Sequence, residues 1–280
     1  MPRLAAVVLA LACARAAGAQ SLPPEEAKSE IPQIQDNSFL MEEAYNQEEG
    51  VVQHINSFQV FRGGAWVATF TQEWPVPRQA HQLSYTILYA RVEGASQSRT
   101  GLGDIALNYR YQLVGNSEAR FAVAPRVSFL LPTGDQRKDL GAGGIGFQTN
   151  IAMSTVLSQE FIMHTNIGGT WNPRAKDAAG DVAATLGWNL GQSFIWLARS
   201  NFNVLVETVW YETQGVVGRN RAAAAHAFLV SPGIRWAYNF PTGLQIVPGI
   251  AAPIGVGPSR GQRSLFLYLS FEHPMWKASQ

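Results

Sequence analysis

Asp104-Ile105-Ala106-Leu107-Asn108-Tyr109-Arg110-Tyr111-Gln112-Leu113 is the stretch that decides the fold class. Ile105, Leu107, Tyr109, Tyr111 and Leu113 share one parity, and Asp104, Asn108, Arg110 and Gln112 share the other. Successive side chains of a strand point to opposite faces, so this reads as a β-strand with one apolar and one polar face. The same alternation returns along the chain. Phe161, Met163, Ile167 and Trp171 oppose His164, Asn166 and Thr170; Phe202, Val204, Val206 and Trp210 oppose Asn203 and Glu207; Leu265, Leu267, Leu269 and Phe271 oppose Tyr268, Ser270 and Glu272. From Val51 onward the pattern predicts twelve strands, near 51–61, 65–74, 81–93, 102–113, 120–131, 145–157, 161–171, 181–197, 202–213, 225–239, 244–256 and 263–273.

A soluble sandwich shows the same alternation, so composition and connections must separate the two. Apolar residues make up 46% of the 280 and charged residues 15%, against about 25% charge in an ordinary soluble domain. Beyond the N-terminus there is no apolar run long enough for a membrane-spanning helix, which leaves a closed barrel as the membrane option. The strand count is even, as expected of a single-chain bacterial barrel. Connections alternate in length. Those at 115–118, 158–160, 199–201 and 241–243 are short, and those at 94–101, 132–144, 172–180, 214–224 and 257–262 are longer, with 62–65 as an exception. Trp66, Trp74, Tyr109, Tyr111, Trp171, Trp210, Trp236 and Tyr238 fall near strand ends on the apolar parity. Aromatic rings favour the headgroup level, so these are candidate girdle residues. Pro125, Pro232, Pro248 and Pro253 lie inside the expected strands and count against unbroken ladders. The expectation is an all-β, antiparallel, up-and-down transmembrane β-barrel.

The ends read differently. Arg3, the apolar run Leu4 to Cys13 and the small residues Ala17-Gly18-Ala19 have the form of a secretory signal covering residues 1–19. A lipoprotein reading of Cys13 is disfavoured because Ala10 stands where a branched apolar residue is wanted. Cleavage would remove the only cysteine, and with it thiol or disulfide chemistry. It would also remove Arg3 and Arg15, taking 21 basic residues to 19 against 20 acidic. That balance gives no reason to expect a nucleic-acid partner. Residues 20–50 are acidic and hold Pro23, Pro24 and Pro32, with a short helix plausible from Ser38 to Gln47. Two readings stand: a flexible periplasmic leader, preferred for its scant apolar surface, and a plug folded into the barrel mouth. The barrel itself is expected over 51–276, with a tail at 277–280.

Three blocks resemble a known family. They are Asp36-Asn37-Ser38-Phe39-Leu40 running on through Glu42 to Glu48 and Val51-Val52-Gln53-His54, then Phe70 to Pro77 with His81 to Tyr85, and then Gly101 to Gln112 with Pro125-Arg126 and Leu131 to Asp135. Together they are similar to the outer-membrane transporter barrels labelled after the meta-pathway of phenol degradation (MetA-like), over about residues 36–273. The resemblance implies an outer-membrane barrel with a transport role and supplies no catalytic residues. The tail beyond Phe271 departs from the terminal aromatic that many barrels offer to the assembly machinery.

If the barrel is right, the polar parity faces the lumen. Its candidate lining residues are Asp104, Asn108, Arg110, Arg126, Gln148, Asn150, His164, Asn166, Asn189, Asn203, Glu207, Arg235, Gln245 and Glu272. They either brace a filled interior through ion pairs and hydrogen bonds or line a narrow path, since twelve strands enclose less than an open porin. Their charges nearly cancel, which argues against strong ion preference. No Gly-x-Ser-x-Gly elbow is present, and no serine is evident to serve His164 on the lipid side. An enzyme, in the form of an outer-membrane acyl hydrolase, therefore ranks behind a channel and behind a non-conducting structural barrel. His54, His81, His164, His226 and His273 are scattered, so no metal site is expected. Gly141 to Gly146 precedes a strand and so lacks the context of a phosphate loop. The segment 135–139 reads as a solvated loop tip. The expected function is passive passage or binding of small solutes, aromatic or amphipathic ones included, across the outer membrane of a Gram-negative bacterium. No cofactor is expected, and the partners are outer-membrane lipid and lipopolysaccharide, the barrel-assembly machinery and an unknown small solute.

Overall fold

The computed structural model describes Ile34, residues 36–94 and residues 97–275. The expected signal at 1–19, Cys13, most of the 20–35 leader and the tail at 277–280 lie outside the described residues. Fifteen ladder segments run in chain order: β1 Val51–Phe61, β2 Trp66–Pro75, β3 His81–Val92, β4 Arg99–Leu102, β5 Ile105–Tyr111, β6 Phe121–Leu131, β7 Gly146–Val156, β8 Phe161–Lys176, β9 Val182–Arg199, β10 Phe202–Gly218, β11 Arg221–Trp236, β12 Tyr238–Asn239, β13 Gln245–Ala251, β14 Ile254–Gly255 and β15 Ser264–Pro274. They make a closed antiparallel barrel of twelve spans. β4 and β5 both pair with β3 and form one span. β11 runs on into β12, and β13 into β14.

Closure comes from the two ends of the chain. β15 lies antiparallel to β1 in continuous register, from Val51 opposite Pro274 to Phe61 opposite Ser264. A closed ring has no unpaired edge, which lipid would penalise by several kcal/mol per bare backbone group. Pro125, Pro232 and Pro248 sit within ladders, and Pro253 falls in the break between β13 and β14.

The side chains are arranged inside out. Leu107, Phe129, Ile151, Ile167, Trp188, Leu190, Trp196 and Leu265 are all more than 40% exposed, whereas Arg110, Asn150, His164, Glu207 and Arg235 are below 5%. A protein whose surface meets water hides the first set and shows the second. This ring does the reverse, as a wall between lipid and a polar lumen must.

The spans are unequal. β8, β9, β10 and β11 have 16, 18, 17 and 16 residues. At about 3.3 Å per residue, 18 residues reach roughly 60 Å along the strand, well past an apolar band about 25 Å tall. Two expected long connections are corrected by this extension. The link after β8 shrinks to residues 177–181, and the link after β10 to Arg219-Asn220, with Asn220 at φ 57°. Asparagine is one of the few residues that takes up this left-handed backbone readily, as tight turns often require. The alternation had faded over Thr213, Gly215 and Ala222 to Ala225 because pairing outside lipid needs no apolar face.

Candidate functional site: an occupied lumen

Among the described residues no helix forms over 38–47, which corrects the expected short helix. Residues 36–47 instead follow an irregular, extended path inside the ring, on the side where β1 begins and β15 ends. Wall side chains take the place of ladder partners. Glu207 Oε1 accepts from the amides of Leu40 and Met41 at 2.8 and 3.2 Å. Asn166 accepts from Glu42 N–H at 2.9 Å and donates to its carbonyl at 2.7 Å. Ser154 Oγ accepts from Ala44 N–H at 2.8 Å. Gln112 accepts from Asn46 N–H and donates to Ala44 O, at 3.0 and 2.7 Å. Gln82 accepts from Gln47 N–H at 2.9 Å. A helix would have satisfied the same groups internally; here the lumen face does so.

Three arginines grip the segment. Arg110 donates to Glu43 O, Tyr45 O and Asn46 Oδ1, at 3.1, 2.7 and 2.8 Å. Arg235 donates to Asp36 O and Asn37 O, both at 2.7 Å. Arg126 forms an ion pair with Glu42 at 2.7 Å and also reaches Asn108 and Gln148. In the other direction, the Asp36 carboxylate accepts from Gln53 at 2.8 Å, Tyr268 at 2.5 Å and Ser270. Glu272 holds Gln53 and Gln47.

Apolar anchors complete the seat. Phe39 packs beside Phe266 and Tyr268, with ring centroids 5.9 and 5.6 Å apart. A side chain on Gly233 or Gly249 would collide with that ring. Ala44 and Tyr45 lie on Ala122, Ala124 and Ala152, small residues that leave the space.

The other expected lining residues have different surroundings. Asn150 donates to Asn166, and Gln148 donates to Thr170, both at 3.0 Å. Asn203 is buried opposite Arg235 in the β10–β11 ladder. Asn189 lies opposite Gly168 and Tyr211. Gln245, near the mouth, donates to Asn239 at 2.6 Å. His164 Nδ1 lies 2.7 Å from Ser154 Oγ. This Ser–His contact is buried beneath Ala44 on the lumen side, and its serine is engaged as an amide acceptor. Asp104 does not line the wall at all; its carboxylate accepts from Gly134 N–H and Ala142 N–H, at 2.9 and 2.7 Å, and fastens the long loop at 132–145. At that loop's tip the Lys138 ammonium, hydrogen bonded to Asp135 at 3.2 Å, holds the Asp135 carboxyl below the usual carboxylate range.

The expected girdle residues lie on the outward face, six of them toward its rims and Tyr109 and Trp210 within their strands. Trp66 and Trp171 sit toward the loops, and Trp74, Tyr111, Trp236 and Tyr238 toward the chain termini, while Trp210, mid-β10, stacks on His226. Trp188 and Trp196 are exposed on the same face and were not expected there.

The segment and the wall are matched as one unit by a family model described as "Putative MetA-pathway of phenol degradation", over residues 36–271. The chain belongs to this family. The match begins at Asp36, within the inserted segment, and ends in the last strand. Among solved structures, an outer membrane channel from Pseudomonas putida F1 aligns with a TM-score of 0.57 at 14% identity, covering 82% of this chain and 97% of that one. The NanC porin aligns with a TM-score of 0.51 at 12% identity, covering 78% and 98%. At such identity the likeness is one of fold. No curated protein matches in sequence.

Proposed function

We propose that this family member is an outer-membrane channel whose periplasmic mouth is closed by its own residues 36–47, and that small, polar or amphipathic solutes pass when the segment shifts. The observation that carries the reading is the inverted distribution of side chains: an apolar outer face and a hydrogen-bonding lumen. The lumen above the segment is lined by hydroxyls and amides, including Ser57, Thr69, Thr71, Thr86 and Gln148. Such a lining suits neutral solutes over ions. The short, termini-side connections face the periplasm on this reading, and the long β8–β11 ends project outward among lipopolysaccharide. Export by a cleaved signal and insertion by the assembly machinery belong to the same proposal.

A non-conducting barrel is the second reading, favoured by the dense hydrogen bonding of the segment. Planar-bilayer recordings separate the two. The intact chain is expected to give small, intermittent currents, and a variant lacking 36–47 a larger and steadier one. Bilayers that stay sealed with both proteins reject the channel.

A further inference from the structure

Barrel closure brings together two residues that the sequence keeps 219 positions apart. His54, on β1, and His273, on β15, lie on the outward face near the termini-side rim, and their Nε2 atoms are 3.2 Å apart. We propose that this pair is a binding site for a borderline transition-metal ion, Cu2+ or Zn2+, which clamps the first strand of the barrel to the last.

The distance suits the chemistry. Imidazole nitrogens bind such ions at about 2.0–2.1 Å, so two of them on one ion stand about 3.0 Å apart at a right angle and about 3.4 Å apart at a tetrahedral one. The observed separation lies between. The rings are already oriented. His54 stacks on Phe271 at 4.8 Å with an interplanar angle of 28°, and meets His273 edge to edge, with centroids 5.3 Å and planes 20° apart. His273 Nδ1 lies 3.2 Å from Pro274 O. A proton on Nδ1 donated to that carbonyl leaves the Nε2 lone pair free, the outer-shell arrangement usual for metal-bound histidine. Without metal, His54 donates its Nε2 proton to the His273 Nε2 lone pair; when a cation binds, that proton is released and His54 takes one up from solvent at Nδ1, so the ion meets two neutral ligands with no net change in protons.

The ligand set also selects the ion. Two imidazoles with no carboxylate favour copper, zinc or nickel over calcium or magnesium. Among the described residues no third His, Cys, Asp or Glu joins the group, so water fills the remaining positions, as the rim allows.

The test uses the untagged full-length barrel in detergent, stripped with chelator and titrated with Cu2+ alone. Calorimetry is expected to show one saturable equivalent, and electron paramagnetic resonance two equivalent nitrogens. H54A and H273A should each lose that equivalent, while H81A, which removes another histidine of the same face, should keep it. Copper should raise the unfolding midpoint of the wild type and of H81A but not of the other two. H54N, which keeps polarity and size, guards against misfolding and should also lose the site. Failure of the wild type to bind one equivalent, or its retention in H54A or H273A, overturns the proposal.

Discussion

The two halves of the lumen are built from the same residue types used in opposite ways. Toward the loops, wall side chains bond to one another: Ser57 with Thr69 at 2.6 Å, Thr71 with Thr86 at 2.9 Å, Gln148 with Thr170 at 3.0 Å. Each pair spans neighbouring strands and belongs to the barrel itself. Toward the termini, Arg110, Asn166, Glu207 and Arg235 spend their hydrogen bonds on a segment that is no part of any ladder. Bonds within the wall break only if strands separate. On the proposed reading, bonds to the segment exchange for water while every ladder stays intact. The proposed channel therefore treats residues 36–47 as the removable part of the interior and the upper wall as fixed.

Arg110→Met should break this division most strongly. It keeps most of the side-chain volume but removes three donors to the segment, each charge-assisted bond contributing about 1.5–3 kcal/mol. Even with water recovering part, a net loss of about 4 kcal/mol would shift the closed-to-open ratio by roughly three orders of magnitude. Single-channel open probability in bilayers should rise accordingly, with barrel melting nearly unchanged. A parallel drop in melting temperature would mean the segment and wall form one cooperative unit. Phe39→Ala comes next. Emptying a buried aromatic seat destabilises by about 3 kcal/mol where the site cannot collapse. Gly233 and Gly249 leave nothing to fill the space, although solvent near the mouth softens the loss. The expected result is an open-time increase near a hundredfold, smaller than that of Arg110→Met.

The same contrast explains what was legible in the sequence. The wall was readable because each strand carries its own two-face pattern, and lipid enforces that pattern wherever the strand is in the membrane. The stretch 104–113 announces its lumen face without reference to any partner. Where β8–β11 leave the lipid that enforcement ends, and the pattern stops before the strands do. The segment was not readable because its conformation is specified from outside. Ser38 to Gln47 carry helix-compatible residues, yet Glu207, Asn166, Ser154 and Gln82 accept their amide protons across separations of 35 to 167 residues. A local reading sees scant apolar surface; the seat of Phe39 is assembled from Gly233, Gly249, Phe266 and Tyr268, on three different strands. The one signal available was the resemblance itself, which already included residues 36–48. His54 and His273 were missed for the same reason, since only closure of the ring makes them neighbours.

The smallest expected effect lies in the upper wall and sharpens the comparison from its other side. Thr71→Val keeps shape and removes one hydroxyl from the Thr71–Thr86 pair. The lost bond contributes about 0.5–1.5 kcal/mol when both groups are shielded, and less here because Thr86 also lies near Asn108 Nδ2, at 3.4 Å, and both threonines are only half-buried. Unfolding in denaturant should therefore shift by less than about 1 kcal/mol. Open probability should not move, because the segment's hydrogen bonds go to other side chains. A change in gating comparable to that of Phe39→Ala would show that the upper wall and the inserted segment are coupled through the strands, and the separation into a fixed half and a removable half would fail.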